Sequence, residues 1–108
     1  MPQLVIRGIS VEEICSVDKL IIDELEALLE CPRSYFTVEI LNTVFVLDGK
    51  IAKNYPFVEI SWFDRGQDVQ DKVARVVTKY IQELGYQNVD VIFRALEKSR
   101  YYENGEHF

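Results

Sequence analysis

The chain states one plan twice. LVIRGI (4–9) is short and β-branched, which reads as a strand. Apolar residues then recur at Ile14, Val17, Ile21, Leu25 and Leu28, with Ile22 and Leu29 beside them, the spacing of a helix face. FTVEILNTVFVL (36–47) follows as one long strand. In the second half PFVEISWF (56–63) reads as a strand. Val69, Val73, Val76, Val77, Tyr80, Ile81 and Leu84 trace a second helical stripe, and VDVIFRAL (89–96) is a fourth strand. Strand, helix and strand at this spacing suit a parallel βαβ unit with a right-handed crossover. Two such units predict an α+β fold, a four-stranded sheet with both helices on one face. At 108 residues the chain is one domain, 1–108, with halves of about 1–47 and 56–98 and a tail over 99–108.

Local signals set the boundaries. SVEE (10–13) is a capping box, with Ser10 as N-cap and Glu13 three residues on. Whether 11–15 form the first turn of the helix or a separate turn stays open. Proline at 32 disfavours helical geometry at Cys31 and ends the first helix. Asp64 and Gln67 form a D-x-x-Q cap for the second helix, which Gly85 stops. Asp48-Gly49 and Asn104-Gly105 are turn signals, and 47–56 is the most loop-like stretch. Hydrophobic residues, 48% of the chain, suffice for a packed core without staples. The strand over 36–47 is apolar on both faces, so its sheet needs cover on both. The helices cover one. Nothing else in the chain covers the other, which favours an oligomer.

Charge and cysteine narrow the function classes. A net charge of −6 disfavours nucleic acid, because phosphate neutralisation needs clustered Lys and Arg. No apolar run approaches the ~20 residues of a bilayer span, and no secretory signal opens the chain, so a cytoplasmic protein is expected, away from membranes. Cys15 and Cys31, if on one helix, stand about 24 Å apart at ~1.5 Å per residue, well beyond a disulfide's reach. Reduced thiols fit a reducing compartment. His107 is the single histidine, and no metal-ligand spacing occurs, so no metal or other cofactor is called for.

Several residues stand out. Pro2 sits directly behind Met1 and ahead of the first strand. A strand's first position tolerates proline, where no ladder donor is needed. With Met1 removed, Pro2 becomes a secondary amine and a base. With Met1 retained, its nitrogen is a tertiary amide and is not basic. Glu39 and Glu59 are carboxylates inside apolar strands. They form either an acid/base pair with shifted pKa values or ion pairs with arginine, and Arg94 mid-strand needs such a partner. Tyr101, Tyr102 and His107 mark an aromatic tail, placed either to assist chemistry or to brace a neighbouring subunit.

MPQLVIRGI, FTVEILNT, YPFVEISWFDRGQDVQDKVA and the terminal YYENGEHF make the chain resemble the tautomerase superfamily of 4-oxalocrotonate tautomerase and macrophage migration inhibitory factor. The match is nearer still to an uncharacterised bacterial family within it. The resemblance implies a homotrimer, and Pro2 as general base, or less often nucleophile, on a 2-keto acid or its enol. The substrate carboxylate then calls for a cation. Of Arg7, Arg33, Arg65 and Arg94, Arg33 is the first candidate, because CPRSYF joins first helix to second strand where several members carry a substrate-binding cation. Arg7 is the second, although it has the opposite strand parity to Pro2. A hydroxyl of Tyr101 or Tyr102 would hydrogen-bond the enolate. Where 4-oxalocrotonate tautomerase has a second-strand arginine this chain aligns Thr37, and where migration inhibitory factor has its lysine it aligns Cys31. The first departure points away from a diacid.

Two functions follow, with a third fold reading beside them. One is a cofactor-independent tautomerase or isomerase of a small carboxylate. The alternative is a non-catalytic trimeric module that binds a small ligand or protein and keeps the fold. The third is a ferredoxin-like regulatory domain, in which Pro2 is incidental.

Overall fold

In the computed structural model, residues 2–108 are described; the question of Met1 retention falls outside the described residues. Strand β1 (Gln3–Arg7) leads to a short helix α1 (Val11–Cys15) and to α2 (Asp18–Leu29). A 3-10 turn (Arg33–Tyr35) enters β2 (Thr37–Leu41). Then come β3 (Phe45–Leu47), β4 (Lys50–Ala52), β5 (Phe57–Trp62), α3 (Gln67–Gln82) and β6 (Asp90–Ala95). The tail closes as a hairpin of β7 (Tyr102–Glu103) and β8 (Glu106–His107). The main sheet runs β2-β1-β5-β6. β1 pairs parallel with β2, β5 parallel with β6, and the two halves meet antiparallel through β1 and β5. The doubled βαβ plan and the α+β class therefore stand as expected. No helix among the described residues is long and apolar enough to cross a membrane.

The core lies between the sheet and α2 and α3. Strand alternation sends Leu4, Ile6, Val58, Ile60 and Trp62 inward. They meet Ile21, Leu25 and Leu29 of α2 and Val73, Val77 and Ile81 of α3. Each such side chain contributes about 1.5–3 kcal/mol by leaving water. Ser10 and Glu13 make the expected capping box, but α1 is a separate turn of helix, ending at Cys15. Asp64 does not cap α3. Its carboxylate accepts the Gly66 N–H at 2.9 Å, and Gly66 is the N-cap with no side-chain hydrogen bond. The long strand expected over 36–47 is also two strands. β2 ends at Leu41, and β3 folds back on β4 through Asp48 and Gly49, whose φ values of 53° and 74° suit a tight hairpin turn. The 47–56 stretch thus contains a strand as well as loop.

Candidate functional site

Pro2 is buried at the head of β1. Its carbonyl accepts the Thr37 N–H at 3.2 Å, so the first β1–β2 link asks nothing of the proline's missing donor. The next residue, Gln3, stands between Thr37 and Ser61 and its side chain points to the face away from the helices. There the Gln3 amide donates to the Tyr101 hydroxyl oxygen at 3.1 Å. The Tyr101 ring is held by Phe63 and Phe108, at centroid distances of 5.6 and 4.9 Å. Phe63 and Phe108 also meet, at 5.6 Å. The Phe108 N–H donates to the Tyr101 carbonyl at 3.0 Å, which folds the last residue back onto the cluster. Lys98 lies over the Phe63 ring at 5.9 Å, within cation–π range.

Of the residues singled out by sequence, Tyr101 is bonded to the residue that follows Pro2, Gln3. Tyr102, the next residue, alternates outward and is 60% exposed, its ring edge-on to His107. Arg33 sits in the turn before β2 and folds back onto α2. Its guanidinium donates to Asp23 at 2.7 Å and lies 3.9 Å from Glu26. The Arg33 guanidinium and then Lys19 hold the Asp23 carboxyl below the ordinary carboxylate range. Arg7, about 17 Å along β1 from Pro2 at ~3.4 Å per residue, points to the open face of the sheet. It pairs with Glu59 at 3.5 Å and lies 4.2 Å over the Phe57 ring. Arg94 reaches the other Glu59 oxygen at 3.5 Å, so Glu59 is an ion-pair partner of Arg94, although the Arg94 side chain is exposed and does not need one. Arg65 donates to the carbonyl of Leu29 and secures the end of α2. Burial pushes the nearby Cys31 thiol up, against the pull of the Arg65 charge.

Sequence reasoning missed Gln3, Phe63, Phe108 and Lys98 as neighbours of this end. The signal for Gln3 was adjacency to Pro2 with opposite parity to the core. Phe63 directly follows the last residue of β5. Phe108 is a further aromatic in the tail that already carries Tyr101 and Tyr102.

Residues 1–107 match the family described as Domain of unknown function (DUF1904). The chain belongs to that family. A DUF1904 crystal structure from Sebaldella termitidis ATCC 33386 is 35% identical, with 100% of each chain covered and a TM-score of 0.93. A macrophage migration inhibitory factor-like protein from Entamoeba histolytica is 18% identical over 99% of this chain and 98% of its own, at 0.76. A fused 4-OT, described as a wild type asymmetric trimer, is 14% identical over 97% and 94%, at 0.78. No curated protein matches the chain in sequence. At those low identities the likeness is one of fold, and this DUF1904 protein shares the fold of the macrophage migration inhibitory factor-like and 4-OT structures.

Proposed function

We propose that this protein is a cofactor-independent tautomerase or isomerase of a 2-keto acid or its enol, with Pro2 as general base once Met1 is removed. The observation that carries this reading is a buried Pro2 at the head of β1, followed directly by Gln3, whose side-chain amide donates to the Tyr101 hydroxyl. A free α-amine starts near ~8, and burial favours its neutral form, so Pro2 is suited to act near neutral pH. Pro2 takes the enol hydroxyl proton, and the electron pair shifts to make the ketone. The same nitrogen then returns the proton to the adjacent carbon, and no co-reactant is consumed. The Tyr101 oxygen already accepts the Gln3 amide, so its own proton is free for the developing enolate oxygen. Phe63 and Phe108 offer an apolar wall for an aryl or alkyl substituent. Arg33 holds the substrate carboxylate in this reading, exchanging Asp23 for it. In this reading Arg7 and Tyr102 contact the substrate held at the Pro2 of a second copy.

The test is enol–keto conversion of phenylpyruvate by tag-free protein beside Pro2→Ala, with the intact mass of both recorded. Methionine-free wild type is expected to accelerate the conversion, and the variant to lose about 10²-fold or more. Wild type no faster than buffer, or Met1 retained in the cell's own protein, overturns the proline-base reading. One observation favours the non-catalytic binding module instead: Arg33 and Arg7 are both engaged by carboxylates of their own chain.

We infer further that the protein is a homotrimer of the cytoplasm. The open sheet face, with Val5, Leu41, Phe57 and Ile92 among its charged residues, supports an assembly that covers it. The unpaired thiols of Cys15 and Cys31 suit a reducing compartment.

A further inference from the structure

At the end of the sheet remote from Pro2, a cleft of about 840 Å³ opens between the β4–β5 and α3–β6 connections. Its walls are fixed. Gly8, at φ +83°, lets the Tyr55 backbone pass against it where a Cβ would strike the Tyr55 carbonyl. Pro56 is fully buried, and its carbonyl accepts the Asp90 N–H at 3.1 Å, which joins the two walls. The Gln82 amide donates to the Gln87 carbonyl at 3.0 Å. The Tyr86 hydroxyl meets both Glu13 oxygens, at 2.9 and 3.0 Å. Held in this way, the backbone of the cleft needs little ordering when it binds, and the cost falls on its side chains.

The lining is polar. Asn54, Gln87 and Asn88 are among the lining residues, and none of their side-chain amides hydrogen-bonds to another of the described residues. An amide sets a donor beside an acceptor, which a pair of neighbouring hydroxyls answers. Lys53 and Asp90 balance in charge, and one lysine without an arginine is a poor phosphate site. Tyr55, 37% exposed, adds ring surface for C–H groups. The volume falls within the usual range for small-molecule sites. We propose that this cleft binds a neutral saccharide of one or two rings, at a site separate from Pro2.

The experiment is saturation-transfer NMR of the full chain with glucose, N-acetylglucosamine and maltose at millimolar concentration. It is repeated on Asn54→Ala/Asn88→Ala and on Gln87→Ala, each checked for folding by circular dichroism. The three residues are exposed, so the folded state tolerates their truncation. At least one sugar is expected to show transfer in wild type, with binding about tenfold weaker in the double variant. Absence of transfer from all three sugars overturns the proposal. So does unchanged binding in both folded variants.

Discussion

Gly8 carries two constraints that one larger residue cannot meet together. Its φ of +83° is left-handed territory, and the Tyr55 carbonyl occupies the place of its missing Cβ. Gly49, at φ +74°, carries the first constraint alone, since nothing lies within 4 Å of its Cβ position. Gly49→Ala should therefore cost only the backbone preference, about 1 kcal/mol. Gly8→Ala should cost clearly more, because backbone rather than a flexible side chain must move. Urea midpoints of the two variants check this, and equal losses would contradict the close approach. At this same scale the sequence disclosed which residues were unusual better than what they touch. Pro2 and Tyr101 were both visible as anomalies, and what Tyr101 bonds is Gln3, the residue after Pro2, which sequence reasoning missed. Arg33 was equally visible. Its partners Asp23 and Glu26 lie on the outer surface of α2, and no local pattern marks a turn that folds an arginine back onto the preceding helix.

The elements were legible where a single residue governs them. The Ser10–Glu13 capping box, the glycine after α3 and the Asn104-Gly105 hairpin all follow from side-chain chemistry within four residues. The break at 42–44 was not legible, because FTVEILNTVFVL has strand propensity throughout. What ends β2 is the hairpin formed by β3 and β4, a pairing between segments rather than a property of either. Helix α1 is joined to the distant α3–β6 connection in a similar way, by the Tyr86 hydroxyl on Glu13. Partial burial, and then the Glu13 carboxylate, raise the Tyr86 pKa above the ordinary tyrosine value. Below about pH 10 both folded and unfolded chains keep this proton, and the contribution to stability is complete. Above it the unfolded chain releases the proton first, so stability falls as pH rises through the raised folded value. Tyr86→Phe is expected to cost about 1 kcal/mol at neutral pH and to fall less steeply than wild type between about pH 9 and 11. Parallel slopes in urea titrations across that range would show that Tyr86 is not the responsible group.

For the whole molecule, periodicity gave the doubled βαβ plan because one face of each strand must be apolar to meet α2 and α3. It was a poorer guide to the opposite face. Expected to be apolar, that face carries rows set by register: Glu39, Val5, Glu59 and Ile92 in one, and Leu41, Arg7, Phe57 and Asp90 in the next. Glu59 serves both Arg7 and Arg94, so much of the charge is already paired within the chain. A face of this composition is stable in water yet can be covered, since paired charges cost less to desolvate than single ones. Val5 lies at its centre, between Glu39 and Glu59, with its side chain away from the helix-covered core. Val5→Glu would place three carboxylates in one row. A monomer solvates them; a copy packed against the face cannot, and burying an unpaired carboxylate is strongly unfavourable. Light scattering behind gel filtration should give wild type three times the 12.6 kDa chain mass and Val5→Glu a single chain mass, with unchanged helix content. A wild-type monomer, or a folded Val5→Glu that remains trimeric, would remove the open face from the assembly.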